Sequence, residues 1–193
     1  MSSMLTNLRS AVITGFVFAF ILIFFLAQGS FDQTAFNMWL LRWFHVLAAI
    51  MWVGILYYFN FVQIPNMGKI PDDQKPAISK VIAPAALWWF RWGAVATLLS
   101  CLILAHLNGY LHDAMTFSDG YWPIGIGMWL GIIMFVNVWA VIWPNQKKAL
   151  GIIEVDAETK AKAARKAMLF SRKNVILSIP MLVAMTVAQN SFS

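Results

Sequence analysis

The stretch WLLRWFHVLAAIMWVG, residues 39–54, decides the fold. It is almost wholly apolar, yet Arg42 and His45 stand three residues apart within it. Together with residues 55–64 it is long enough to predict a membrane-spanning helix, since about 20 apolar residues cross a bilayer core. Arg42 and His45 then lie one turn apart on the same side of that helix. Ionisable side chains inside a span are costly, and this makes the pair a candidate site.

The rest of the chain has the composition of a membrane protein. Of its 193 residues, 61% are hydrophobic and only 11% are charged, whereas about a quarter of the residues in soluble domains are charged. The net charge of +6 does not indicate nucleic-acid binding, because eight of the fourteen Lys and Arg residues lie within residues 147–173, beside apolar segments. Cys101 is the only cysteine. This excludes an intrachain disulfide, a Cys-ligated iron–sulfur cluster and a c-type haem attachment motif.

Five apolar segments predict a single all-α domain, an integral membrane helical bundle with about five transmembrane helices. The first segment has a longer apolar run than an ordinary signal peptide, and we therefore expect a retained helix. The last segment is the shortest, and a helix continuing in from Met168 would lengthen it. The predicted spans are residues 11–29, 38–64, 84–108, 122–143 and 175–189.

Basic residues occupy alternate loops. Arg9 precedes the first span, three lysines follow the second, and the cluster of eight follows the fourth, while the other two loops carry no Lys or Arg. Cytoplasmic loops are enriched in Lys and Arg, so the N-terminus is predicted to be cytoplasmic. The tryptophans are predicted to gather in two belts at the ends of the spans.

The basic segment, residues 147–173, is predicted to be cytoplasmic and amphipathic. Asp156 is a plausible helix N-cap. Four apolar residues recur at helical spacing, which predicts a short helix lying on anionic lipid headgroups. A docking face for a soluble partner is the alternative. The four residues are Ala157, Ala161, Ala164 and Met168.

The three histidines gather toward the predicted outer side of the membrane. His45 lies about 10 Å below the outer end of its helix by helix rise, while His106 and His112 lie near the outer end of the third span. Two imidazoles from facing helices could bind the iron of haem b, and an arginine could pair with a propionate. His45, His106 and Arg42 are therefore the candidate cofactor residues, with His45 and His106 as iron ligands. The alternative is that Arg42 reaches headgroups and His45 bonds a neighbouring helix.

Other polar and small residues predict helix packing. Asn137, Thr97 and Ser100 are expected to form interhelical hydrogen bonds, and Gly127 with Gly131 is a small-x-x-x-small pair that permits close approach. Carboxylates are confined to the loops, so a proton relay through the membrane is not expected. No catalytic residue is assigned.

Several stretches together resemble a known family. WLLRWFHVLAAIMWVGILYYFNFVQIP, APAALWWFRWGA, VNVWAVIWPNQKKAL and ARKAMLFSRKNVILSIPMLVAMTVAQN resemble, in order, parts of the urate oxidase N-terminal membrane domain of PuuD-type urate hydroxylases, over residues 39–190. The resemblance implies a membrane domain of an electron-transferring, urate-oxidising system, here a short form without the cytochrome c domain. His45 and Arg42 match the family's Arg-Trp-x-His pattern. Asn145 and Gln146 match its Pro-Asn-Gln turn.

The chain departs from that family at two positions. Relatives tend to have Ser-Arg-His-Asn where this sequence has Lys173 as the third residue, and they end in Asn-His where this one has Gln189 and Asn190. We therefore rank three hypotheses. The first is a redox-associated protein that binds haem b and exchanges electrons with a separate partner such as a cytochrome. The second is a cofactor-free accessory or assembly subunit of a larger membrane complex, and the third is a urate hydroxylase-like subunit working with a separate cytochrome.

Overall fold

The computed structural model describes residues 6–27 and 32–187. Within these residues every regular element is helical, and five helices are long and apolar enough to cross a membrane. This confirms the predicted all-α fold with five candidate spans. Gly29 and Gln189, where the first and last predicted spans end, lie outside the described residues, as does Asn190. In chain order the helices are α1 Leu8–Leu26, α2 Gln33–Lys69, α3 Lys75–Leu107, the short α4 Leu111–Met115, α5 Trp122–Ala149 and α6 Ala157–Val187.

The chain divides into two units, residues 1–39 and 40–193. In the first unit, α1 begins at a cap where the Asn7 side chain accepts a hydrogen bond from the Arg9 N–H at 2.9 Å. None of the residues of α1 is buried. A helix that is apolar all round and has no buried face is suited to a lipid environment.

At three of the predicted span ends, the helix continues past a proline. The predicted spans end before Pro65, begin at Pro84 and end before Pro144. In the structure each proline follows a widened π-helical segment: Tyr58–Gln63, Ile78–Ile82 or Asn137–Ile142. A proline cannot donate a backbone hydrogen bond, and its ring clashes with the carbonyl four residues earlier. The widened turn accommodates the ring, so the helix need not stop.

Side chains complete the hydrogen bonding at two of these prolines. The residue after Pro65 is Asn66, and its amide donates to the Val62 carbonyl at 2.7 Å. The residue after Pro144 is Asn145, and its amide donates to the Val141 carbonyl at 2.7 Å. In both cases the asparagine side chain serves a carbonyl in the turn that the proline disturbs.

The main core lies in the second unit, where α2, α3, α5 and α6 meet. Its largest fully buried apolar side chains are Trp52 and Leu56 of α2, Leu87 and Phe90 of α3, and Met134 of α5. A smaller cluster joins α3, α4 and α5 through Ala105, Ala114 and Met128.

Glycines allow the closest helix approaches. A Cβ on Gly93 of α3 would lie 3.3 Å from the Trp52 backbone nitrogen of α2. On α5, a Cβ on Gly127 would lie 3.0 Å from Met185 and one on Gly131 would lie 3.8 Å from Met181. The predicted Gly127 and Gly131 pair therefore does face α6, but it receives methionine side chains rather than a second backbone.

The predicted short helix in the basic segment is not separate. A single helix, α6, runs for 31 residues from Ala157, about 46 Å at 1.5 Å per residue, so the expected continuation into the last span is confirmed. Asp156 caps it as predicted, accepting from the Thr159 N–H at 2.8 Å. These hydrogen bonds from Thr159 hold the pKa of the Asp156 carboxyl below its usual value.

The predicted apolar stripe of this segment does not pack into the helix bundle. Ala157, Ala161 and Ala164 are exposed, whereas Ala163 and Ala167 are buried. The buried stripe of α6 continues through small and polar residues to the far end of the helix. Packing against α5 decides which side of α6 is buried. Alanines occur on several sides of this helix, so the sequence pattern alone does not show which side that is. The remaining members of the buried stripe are Ser171, Asn174, Ser178, Met181 and Ala184.

Candidate functional site

His45 connects α2 to α3. Its Nδ1 lies 3.1 Å from the Thr97 carbonyl oxygen and 3.0 Å from Ser100 Oγ. A carbonyl only accepts hydrogen bonds, so the contact with Thr97 requires the proton on Nδ1. In that tautomer Nε2 carries a lone pair and is the nitrogen left to bind a ligand.

The hydroxyls of Thr97 and Ser100 bond within α3. Thr97 Oγ1 donates to the Gly93 carbonyl at 2.7 Å, and Ser100 Oγ donates to the Ala96 carbonyl at 2.6 Å. With its hydrogen used in that way, Ser100 Oγ accepts from His45. The predicted interhelical role is therefore confirmed for Ser100, whereas Thr97 contributes its backbone carbonyl rather than its side chain.

His106 is not brought to His45. It lies nine residues beyond Thr97 on α3, which is two and a half turns and about 14 Å along the helix axis. Two and a half turns place it on the side of α3 opposite Thr97, whereas His45 contacts Thr97. The structure therefore does not arrange these two imidazoles about a common point.

His106 lies instead beside His112. Both histidines are exposed, and together with Gly109, Leu111 and Met115 they line an open hollow of about 500 Å³ where α3 ends and α4 begins. Residues 6–27 and 32–187 contain no group of three or more His, Cys, Asp or Glu side chains that could hold a metal ion.

Arg42 lies one turn from His45 and is exposed. Its charge reaches Tyr110, which follows α3 and whose ring stacks on Tyr121 with 5.7 Å between centroids. Burial raises the pKa of the Tyr110 phenol, and the charge of Arg42 opposes that shift. Tyr110 could not be predicted from the sequence, because it lies in a turn outside any periodic pattern.

A second polar cluster crosses the bundle nearer the end predicted to face the cytoplasm. Asn60 of α2 donates to Ser171 Oγ at 2.7 Å, and Asn137 of α5 donates to Asn174 Oδ1 at 2.9 Å. Tyr57 of α2 exchanges a 3.0 Å hydrogen bond with Ser178. Asn137 was predicted as an interhelical partner, and this is confirmed. Its counterpart Asn60 was missed, because it lies between aromatic residues in an apolar run.

Asn174 is the centre of this cluster. It is fully buried, and its amide also donates to the Met134 carbonyl of α5 at 3.0 Å. Lys173, at the position where the resembled family tends to have histidine, is exposed and lies over the Phe170 ring at 4.3 Å. That position therefore faces away from the buried polar cluster.

These features define the class of the protein: an all-helical bundle with five candidate membrane spans, polar side chains joining its helices, and an imidazole fixed at the α2–α3 contact. Residues 113–192 match the model of the family described as Urate oxidase N-terminal. The match confirms the family resemblance predicted from the sequence over that part of the chain. It covers α5 and α6 and does not include Arg42, His45 or His106. The chain has no match among curated proteins or solved structures.

Proposed function

We propose that this chain is a redox-associated protein of a bacterial inner membrane that binds haem b through His45 Nε2 and exchanges electrons with a separate partner. The supporting observation is the contact of His45 Nδ1 with the Thr97 carbonyl at 3.1 Å. Histidines that bind metals usually donate their other ring N–H to a carbonyl or carboxylate, which fixes the tautomer and the ring orientation.

The residues of this chain fit one axial ligand of a haem rather than two. His45 has its Nδ1 engaged on α3 and its Nε2 available, while His106 lies on the other side of α3. A haem held here would take its second axial ligand from a partner or leave that position open. Haem b supplies reversible one-electron transfer when bound.

The remaining residues have roles that need no second iron ligand. Arg42, one turn from His45, offers a guanidinium to a propionate carboxylate, for which a planar fork of donors is well suited. Ser100 and Thr97 hold the imidazole and limit its rotation. The apolar side chains of Phe44 and Val46, which flank His45, are about half exposed and would offer an apolar macrocycle a surface to pack against.

The test is the visible spectrum of the protein purified in mild detergent. We expect a Soret band and reducible α and β bands in the wild-type protein. His45→Ala should lower the absorbance of these bands at least tenfold while the far-ultraviolet circular dichroism stays helical. His106→Ala and His112→Ala are the matched controls, since both histidines are exposed and lie at or beyond the end of α3, well past the Thr97 and Ser100 contacts of His45. They should keep the wild-type spectrum.

A colourless preparation that is fully folded would overturn the haem proposal. So would a spectrum lost in His106→Ala and kept in His45→Ala. In the colourless case, a stoichiometric partner that co-purifies would support the accessory-subunit alternative, in which Arg42 and His45 are structural. Urate hydroxylation with a separate cytochrome ranks third and predicts urate-dependent reduction of an added cytochrome c.

A further inference from the structure

Two cations converge on one indole where α3 meets the end of α5. The Arg91 guanidinium carbon lies 3.2 Å from the centroid of the Trp143 ring, a separation that only a stacked arrangement allows, and 5.8 Å from the Trp139 ring. Lys147 Nζ lies 5.6 Å from the same Trp143 centroid. Trp139, Trp143 and Lys147 succeed each other at four-residue spacing and so share one side of α5.

Neither cation is neutralised within the described part of the chain. The ion pairs there join Lys75 to Asp72 and Lys162 to Glu158. Arg91 Nε is buried without a hydrogen-bond acceptor, and so is Trp139 Nε1 beside it. A stacked guanidinium has its face occupied and keeps its edge donors for an anion. The site thus carries positive charge without an acidic partner, and the Arg91 Nη groups and the Lys147 ammonium are the donors left for an anion.

The position along the helices places this cluster at the level of lipid headgroups. Counting about 20 residues from the start of α5 at Trp122 reaches residue 142, where the hydrocarbon core ends. Trp143 lies at that limit and Lys147 lies one turn beyond it. The alternation of basic loops predicts that this end faces the cytoplasm, where anionic lipids and basic side chains meet.

Exposed aromatic rings surround the cations. Trp88, Trp89 and Trp92 of α3 are each about half exposed, and the Trp92 ring lies 5.9 Å from the Trp139 ring. Indole rings with an exposed apolar face at this depth pack on glycerol and acyl chains. A soluble anion would interact with the cations alone, whereas a phospholipid would contact both the cations and the indole rings.

We propose that Arg91 and Lys147, with Trp139 and Trp143, form a binding site for the phosphate of an anionic phospholipid of the inner leaflet. The phosphate accepts from the edge of the Arg91 guanidinium and from the Lys147 ammonium. The acyl chains lie against the exposed tryptophans of α3. This site is separate from His45 and does not depend on haem.

The experiment is tryptophan quenching by brominated lipids. The full chain is reconstituted in phosphatidylcholine bilayers in which a rising fraction of the lipid is dibrominated phosphatidylglycerol or, in parallel, dibrominated phosphatidylcholine. We expect phosphatidylglycerol to quench in excess of its mole fraction. The double variant Arg91→Gln with Lys147→Gln should weaken that preference roughly 25-fold, since each of the two cations that contact the phosphate contributes about a factor of five.

Lys147→Gln alone is a milder variant that leaves the Arg91 stack in place, and it should weaken the preference severalfold. Lys80→Gln is the matched control, because Lys80 is an exposed lysine near the same end of α3, and it should keep the wild-type preference. Equal quenching by the two lipids in the wild-type protein, or an unchanged preference in both Lys147→Gln and the double variant, would overturn the proposal. Loss of the preference on adding millimolar inorganic phosphate would assign the site to a soluble anion instead.

Discussion

Asn174→Leu is expected to lower the free energy of unfolding by about 2–4 kcal/mol, because it leaves a buried donor and a buried acceptor without their partner. The wild-type amide accepts from Asn137 Nδ2 and donates to the Met134 carbonyl, and the residue is fully buried. Leucine has the same branching at Cγ and the same number of heavy atoms, so the substitution opens no cavity. Circular dichroism at 222 nm during denaturant titration in detergent measures it.

A double variant separates this cause from general disruption of the core. In Asn137→Leu with Asn174→Leu, the Asn137 donor is removed as well, so the double variant should lose clearly less than the sum of the two single variants. Lys173→Leu, at the exposed neighbouring position, should change stability by less than about 0.5 kcal/mol. Strict additivity of the two asparagine substitutions would contradict the contact between α5 and α6 described here.

Gly125→Ala is expected to destabilise the protein by about 3 kcal/mol, the upper end of the usual cost of overpacking. A Cβ at this position would lie 2.1 Å from the carbonyl oxygen of Ala114 in α4. Backbone cannot move aside as a flexible side chain does, and α4 is also held by the Trp129 Nε1 hydrogen bond to the Met115 carbonyl at 3.1 Å. Thermal unfolding in detergent should show a midpoint lower by roughly 6–12 °C.

Gly131→Ala is the matched control for this prediction. It lies on the same helix, and the nearest atom to its added Cβ would be Met181 Sδ at 3.8 Å, an ordinary contact. Alanine also favours helix over glycine by up to about 1 kcal/mol, so Gly131→Ala should be neutral or slightly stabilising. If the two variants unfold at the same temperature, α4 does not pack on α5 as the structure has it.

The number and type of the helices could be predicted from the sequence, because apolar runs of this length have few other uses. The continuation of the helices past Pro65, Pro84 and Pro144 could not be predicted, since a proline normally marks a helix end. Whether the helix stops or widens depends on packing and on partners for the displaced carbonyls. Here Asn66 and Asn145 serve two of those carbonyls, and the Pro-Asn pairs could have suggested it.

The candidate site was predicted in part. His45 could be found because it is an ionisable residue within a span, and its contact with Ser100 agrees with the expected interhelical bond. His45 and His106 were paired in the prediction because they lie at similar depths in the membrane. Whether they face each other depends on which side of α3 carries His106, and depth alone does not show this. Likewise Gly127 and Gly131 fit a known spacing, but the tightest approach belongs to Gly125, whose neighbour α4 is only five residues long.

The polar stripe along α6 has a consequence for biogenesis. Ser171, Asn174 and Ser178 find their partners on α2 and α5, both of which leave the ribosome earlier. Of the five candidate spans, α6 is the least apolar, so its partition into lipid on its own is weak. Until α6 is inserted, the Asn137 amide would therefore lack its partner Asn174, and Asn60 would keep only its bond to the Leu56 carbonyl of its own helix. Insertion of α6 would then be the step that pairs the polar groups of the bundle.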